Sequence, residues 1–222
     1  MKSILTFLVS LFFCSNLSIS QNNISFNFNQ QDSVIKYFHM VAKGGEYGFF
    51  NDYCKYYEDI KVYVLDQKNT NFLNEVDSVI KELNDVINGL EIYLVDNPKD
   101  ANLLVHFKSE KDLRNYHDYY ESYFNTRVSK NSRIVGLAHG VFYLESYDLP
   151  IKKIQKSSIW VSTETSNDMM KHTLREEFAQ SLGLYNDIGL YQNSIFYNGS
   201  SYPVSYSKLD LTIIGMLYND VK

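Results

Sequence analysis

The stretch Met170–Asp187 reads MKHTLREEFAQSLGLYND, and its spacing decides how the rest of the chain is read. Met170, Leu174, Phe178 and Leu182 recur every fourth residue, which is one apolar stripe of an α-helix. Gly183 follows the stripe, where a residue able to adopt a left-handed conformation favours the end of a helix. On nearly the opposite side stand His172, Glu176 and Gln180, also four apart, with Glu177 beside them. Carboxylates, an amide and an imidazole at one-turn spacing make an odd polar face.

Outward from this helix, the elements fall into a recognisable order. Asn167 and Asp168 are both good N-cap types for its start. Before it lie strand-like runs at Ile60 to Leu65, Glu91 to Val95, Asn102 to Phe107, Ile134 to Glu145 and Ser158 to Ser162. Phe72 to Ile87 carries the most regular amphipathic helix, ended by Gly89, and Ser33 to Ala42 carries a shorter one. Lys108 to Arg133 is polar and tyrosine-rich, read as a short helix or a long surface insertion. After the central helix, Ser207 with Asp210 three residues on fits a capping box. That box opens a last helix to about Tyr218. With no internal repeat, low-complexity tract or linker, this is an α/β (or α+β) fold in one domain over 33–222.

The N-terminus reads as a targeting signal over 1–20 and a flexible lead-in over 21–32. Lys2, the apolar run Ile4 to Cys14 and the small-x-small site Ser18-Ile19-Ser20 form a signal peptide. Cys14 raises a lipid anchor, but Phe13 before it departs from the small residue that the lipoprotein peptidase prefers. Export to the periplasm or outside the cell is therefore expected, with no stable membrane span. Removing the signal leaves Cys54 as the one remaining cysteine, so no intramolecular disulfide is expected. Cys54 sits among tyrosines and reads as a buried inert thiol. The formal charge of −5 gives no global attraction for nucleic acid. With 45% hydrophobic residues, a substantial core is possible.

With these elements placed, the chain resembles matrixin-like zincin peptidases at several points in order. Leu137-Ala138-His139-Gly140 is similar to their Leu-Ala-His-Ala strand. Glu176 to Leu184, EEFAQSLGL, is similar to their metal helix HELGHALGL in frame, and Ser194-Ile195-Phe196-Tyr197 resembles the Met-turn Ser-Ile-Met-Tyr. A further resemblance is to an uncharacterised bacterial family, the domain of unknown function 2927. The matching positions are Glu176, Glu177, Gln180, Leu182 to Leu184, Asn186, Asp187, Ser194 to Tyr197, Asp210, Ile214, Leu217 and Tyr218, with Gly45-Glu46-Tyr47 upstream. The resemblance implies a zincin-like fold: a mixed twisted sheet, a long amphipathic helix, a central active-site-type helix, a Met-turn-like segment and a C-terminal helix. It does not imply an activity.

Zinc catalysis needs three protein ligands and an open position for water. In frame, the resemblance puts the ligand positions at Glu176, Gln180 and Asn186, or Asp187 if the turn is one residue longer. Neutral amide oxygens suit zinc poorly, so zinc is not expected and no cofactor is assigned. Glu177 keeps the side chain of the general base and is the candidate catalytic residue. Three readings stay open. One is a zincin fold whose cleft, lined by Glu176, Gln180, Asn186, Asp187, His139 and Tyr197, binds a peptide, protein or glycan without cleaving it. The second is an atypical metallohydrolase in which Glu176, Gln180, Asp187 and His172 hold Ca²⁺, Mg²⁺ or Mn²⁺. The third is a solvated structural face. The first is the expected function.

Overall fold

The computed structural model describes residues 28–43, 53–65, 70–116, 135–142 and 151–219. The signal-peptide reading of 1–20 and the Gly45-Glu46-Tyr47 match lie outside them. A six-stranded mixed sheet forms the backbone of the fold, with strands β1 (Cys54–Lys55), β2 (Ile60–Val64), β3 (Ile92–Leu94), β4 (Leu103–Lys108), β5 (Gly136–Phe142) and β6 (Lys152–Ser162). Its order is β1-β6-β4-β2-β3, every neighbouring pair in that path being parallel, and β5 adds antiparallel to β6. β1 and β5 share one edge of β6. β1 takes Lys152 and Lys153, and β5 takes Ile154 to Val161 with an irregularity between Val141 and Phe142.

Among the described residues five helices accompany the sheet: α1 (Phe28–Ala42), α2 (Thr70–Asn84), α3 (helical over 110–116, where the described residues stop), α4 (Asn167–Ser181) and α5 (Lys208–Tyr218). This is the mixed α/β fold the sequence leads one to expect, with its long amphipathic helix, central helix and closing helix in place. α2 buries Val76, Val79, Ile80 and Leu83, and Phe72 stacks on Phe107 of β4 at 4.1 Å. β2 alternates, burying Ile60, Val62 and Val64. One core collects these with Leu174 and Phe178 of α4, Ile195 and Phe196, and Ile213, Ile214 and Leu217 of α5.

Several boundaries move. α1 begins at Phe28, inside the segment expected to be a flexible lead-in, because Asn29, Gln30 and Gln31 give no apolar spacing to read. α2 ends at Asn84 and continues as turns, Ile87 N–H bonding the Leu83 carbonyl, before Gly89 adopts φ 87°. The N-cap of α4 is Ser166, one residue before the expected pair, because its hydroxyl accepts from the Met169 amide. β6 starts six residues before Ser158, through a lysine-rich run that alternation does not flag.

Candidate functional site

α4 packs against β5 and β6, and both of its ends are built from local chemistry. At the C-terminal end Gly183 takes φ 113°, the Leu184 amide bonds the Ala179 carbonyl and the Gly183 amide bonds Gln180. That is the Schellman closure, which needs a left-handed residue at this point. No side chain fits there: a Cβ on Gly183 would stand 2.0 Å from the Cys54 carbonyl oxygen. Cys54 itself is fully buried, as its tyrosine-rich setting suggests.

Glu177 is buried and faces the start of β5. A Cβ on Gly136 would meet its Oε1 at 2.4 Å and the Thr173 Cγ2 at 2.3 Å, so only glycine lets the strand approach the helix this closely. The polar row lies round the helix from Glu177. His172 is buried, its Nδ1 lies 3.0 Å from the Pro203 carbonyl, and its Nε2 lies 3.7 Å from Glu176 Oε2. Burial pushes the His172 imidazole below its ordinary pKa, while the Pro203 carbonyl and the charges of Asp187 and Asp210 oppose that shift. One turn on, Gln180 Nε2 donates to Asp187 Oδ1 at 3.0 Å. His172, Glu176, Gln180 and Asp187 are thus brought together as two successive pairs.

The other expected cleft residues have different places. Asn186 does not join this row. Its amide donates to the carbonyls of Met40 and Lys43 at 2.8 and 3.1 Å and its backbone N–H bonds Val41, so it satisfies carbonyls at the end of α1. Tyr197 is half-buried with its ring over Gly199. His139 sits on β5 opposite Ser158.

The Ser194-Ile195-Phe196-Tyr197 segment forms a turn fixed by a buried carboxylate. Asp210 accepts from the Ser194 hydroxyl at 2.5 Å, from the Ile195 amide at 3.2 Å and from the Ser207 amide at 2.8 Å. The expected capping box of α5 is present, and the same residue holds the turn. Tyr37 of α1 meets Ser194 Oγ at 2.8 Å. Phe196 is fully buried, and its carbonyl accepts from Ile188 at 2.6 Å, tying the turn to the chain that leaves α4.

Two features escaped the sequence reading. Arg175, buried on α4, donates to Glu75 at 2.7 Å and to Glu82 at 2.5 and 3.3 Å, clamping α4 to α2. His106 of β4 stacks on Trp160 of β6 at 4.0 Å, and Tyr116 of α3 stacks on the same indole at 4.0 Å. Only sheet pairing puts His106 opposite Trp160, so no local pattern signals it.

The family model for proteins of unknown function DUF2927 matches residues 31–221. The chain belongs to the DUF2927 family. No match is found among curated proteins. Among solved structures, this DUF2927 chain is similar to that of Myroilysin at 14% identity and a TM-score of 0.41, over 73% of this chain and 80% of that one.

The positions at which zincin resemblance would place zinc do not fit that ion. Gln180 and Asp187 bond one another, and Asn186 is turned to α1. Among the described residues, no group of three or more His, Cys, Asp or Glu side chains is placed to hold a metal. In this DUF2927 protein the α4 face carries hydrogen-bonding and charged groups, beside a buried carboxylate and β5, which among the described residues pairs with β6 alone. No described helix is long and apolar enough to cross a membrane.

Proposed function

We propose that this protein is an exported, non-catalytic binding protein whose α4 polar row and β5 edge receive an extended peptide segment of a partner. The observation that carries the reading is the seating of Glu177 against Gly136, which locks the polar helix directly beside β5. Among the described residues β5 pairs with β6 alone. An extended peptide adds to such an edge through main-chain hydrogen bonds, and side chains beside it give selectivity. The register supplies the outward groups. The Ser162 amide bonds the Val135 carbonyl, so residues 136, 138 and 140 point their backbone N–H and C=O away from β6. Glu176, Gln180 and Asp187 then offer carboxylate and amide groups to the bound side chains.

The test is retention of a random peptide library on the immobilised chain. Ala138→Pro removes one outward N–H without breaking a bond to β6, and Glu176→Ala removes one carboxylate. Both are expected to lower retention about tenfold, the cost of roughly 1.4 kcal/mol. Unchanged retention in both folded variants would reject the edge-strand site.

The alternative, an atypical metallohydrolase with Glu177 as general base, rests on that residue occupying the base position. The bond between Gln180 and Asp187 weighs against it, since it joins two of the oxygen ligands that such a site would need.

A further inference from the structure

We infer that His172 and Glu176 form a two-ligand chelate for a divalent transition-metal ion, a pair displaced by one helical turn from the Glu176–Gln180 pair where the zincin resemblance looks for one. Two observations lead there. First, His172 Nδ1 lies 3.0 Å from the Pro203 carbonyl. A carbonyl only accepts, so Nδ1 carries a proton and, in the neutral ring, Nε2 keeps its lone pair. A ring N–H held by a backbone carbonyl is how metal-binding imidazoles are fixed in tautomer and orientation.

Second, that Nε2 stands 3.7 Å from Glu176 Oε2. The distance is beyond a hydrogen bond. Two ligands each about 2.1 Å from a tetrahedral ion stand about 3.4 Å apart, so a shift of roughly 0.3 Å closes the chelate. Residues four apart on a helix are neighbours on one face, which makes the pair rigidly presented.

One imidazole and one carboxylate suit Cu²⁺, Ni²⁺ and Zn²⁺, with Cu²⁺ held most tightly, and suit Mg²⁺ and Ca²⁺ poorly. With no third His, Cys, Asp or Glu grouped there among the described residues, water or an incoming donor fills the remaining positions. Tyr202, about half exposed, stands edge-on to His172 at 5.6 Å and borders the site on that side. Glu176 is shared with the proposed peptide site, but the metal reading rests on the His172–Glu176 geometry and not on peptide capture.

Equilibrium dialysis of the purified chain with Cu²⁺ or Ni²⁺ tests it, with Mg²⁺ as competitor and circular dichroism confirming the fold of each variant. One ion per chain is expected at this site. Its affinity should fall about tenfold or more in His172→Gln and in Glu176→Gln and stay unchanged in His39→Ala, an exposed histidine on α1. The Cu²⁺ electron paramagnetic spectrum should show coupling to an imidazole nitrogen that disappears in His172→Gln. Should His172→Gln unfold, Glu176→Gln decides alone. Unchanged affinity in a folded Glu176→Gln, or displacement by equimolar Mg²⁺, would overturn the inference.

Discussion

Gly136 on β5 and Glu177 on α4 approach so closely that a Cβ on the glycine would stand 2.4 Å from the carboxylate Oε1. Backbone of β5 therefore sets the position of the acid. Gly136→Ala should displace Glu177 and part strand from helix, at a cost of about 1–3 kcal/mol for overpacking. Chemical denaturation measures this. Shortening the acid in the double variant Gly136→Ala with Glu177→Ala should recover part of the loss, because it removes the far side of the clash.

Gly183 and Gly89 make a matched pair. Both have positive φ, 113° and 87°, but a Cβ at 183 meets the Cys54 carbonyl whereas none lies within 4 Å of one at 89. Gly89→Ala should cost only the left-handed strain, about 1 kcal/mol. Gly183→Ala adds a clash with backbone and should cost about 2–4 kcal/mol. Melting temperatures of the two variants check the difference; equal losses would show that Cys54 does not crowd Gly183.

Arg175→Met should destabilise the chain by about 2–4 kcal/mol, since Glu75 and Glu82 would lose their shared guanidinium. Adding Glu82→Gln should recover part of this, because less negative charge is then left across the α2–α4 contact. Thermal unfolding of the single and double variants gives the coupling.

His106 gives the pH dependence a sign. Burial, with a smaller contribution from Lys108, pushes its imidazole down to about 4. Below about pH 6.5 the unfolded chain takes up a proton that the folded chain refuses until about pH 4. Stability is then fully present above pH 6.5 and is lost as pH falls toward 4, by about 2 kcal/mol after allowing for solvent screening. Burial of His172 acts in the same direction. Urea unfolding at pH 7 and pH 4.5 should show the loss, and His106→Phe, which keeps a ring on Trp160, should reduce it.

Much of this fold is written in local pattern. The Leu-Gly-Leu closure of α4, the Ser207–Asp210 box and the apolar stripe of α2 each involve residues within about two turns, and each is where spacing puts it. What stayed hidden depends on distant pairing. β1 is two residues long and exists because Cys54 and Lys55 meet Lys152 and Lys153. Asn186 is of a type that fits a ligand position, yet its amide is taken by α1, some 140 residues earlier in sequence. Asp210 is legible as a cap and illegible as the anchor of Ser194 and Ile195. The polar row was readable as a row; its division into a His172–Glu176 pair and a Gln180–Asp187 pair required the turn after Gly183.

The central claim is binding without cleavage at the α4–β5 face, and one measurement addresses it most directly. The purified chain is incubated with a peptide library, and mass spectrometry follows both the retained peptides and any new termini. Peptides retained intact, with retention reduced by Ala138→Pro and no cleavage with or without added divalent cations, is the predicted result. Cleavage that disappears in Glu177→Gln would contradict it and establish the hydrolase instead.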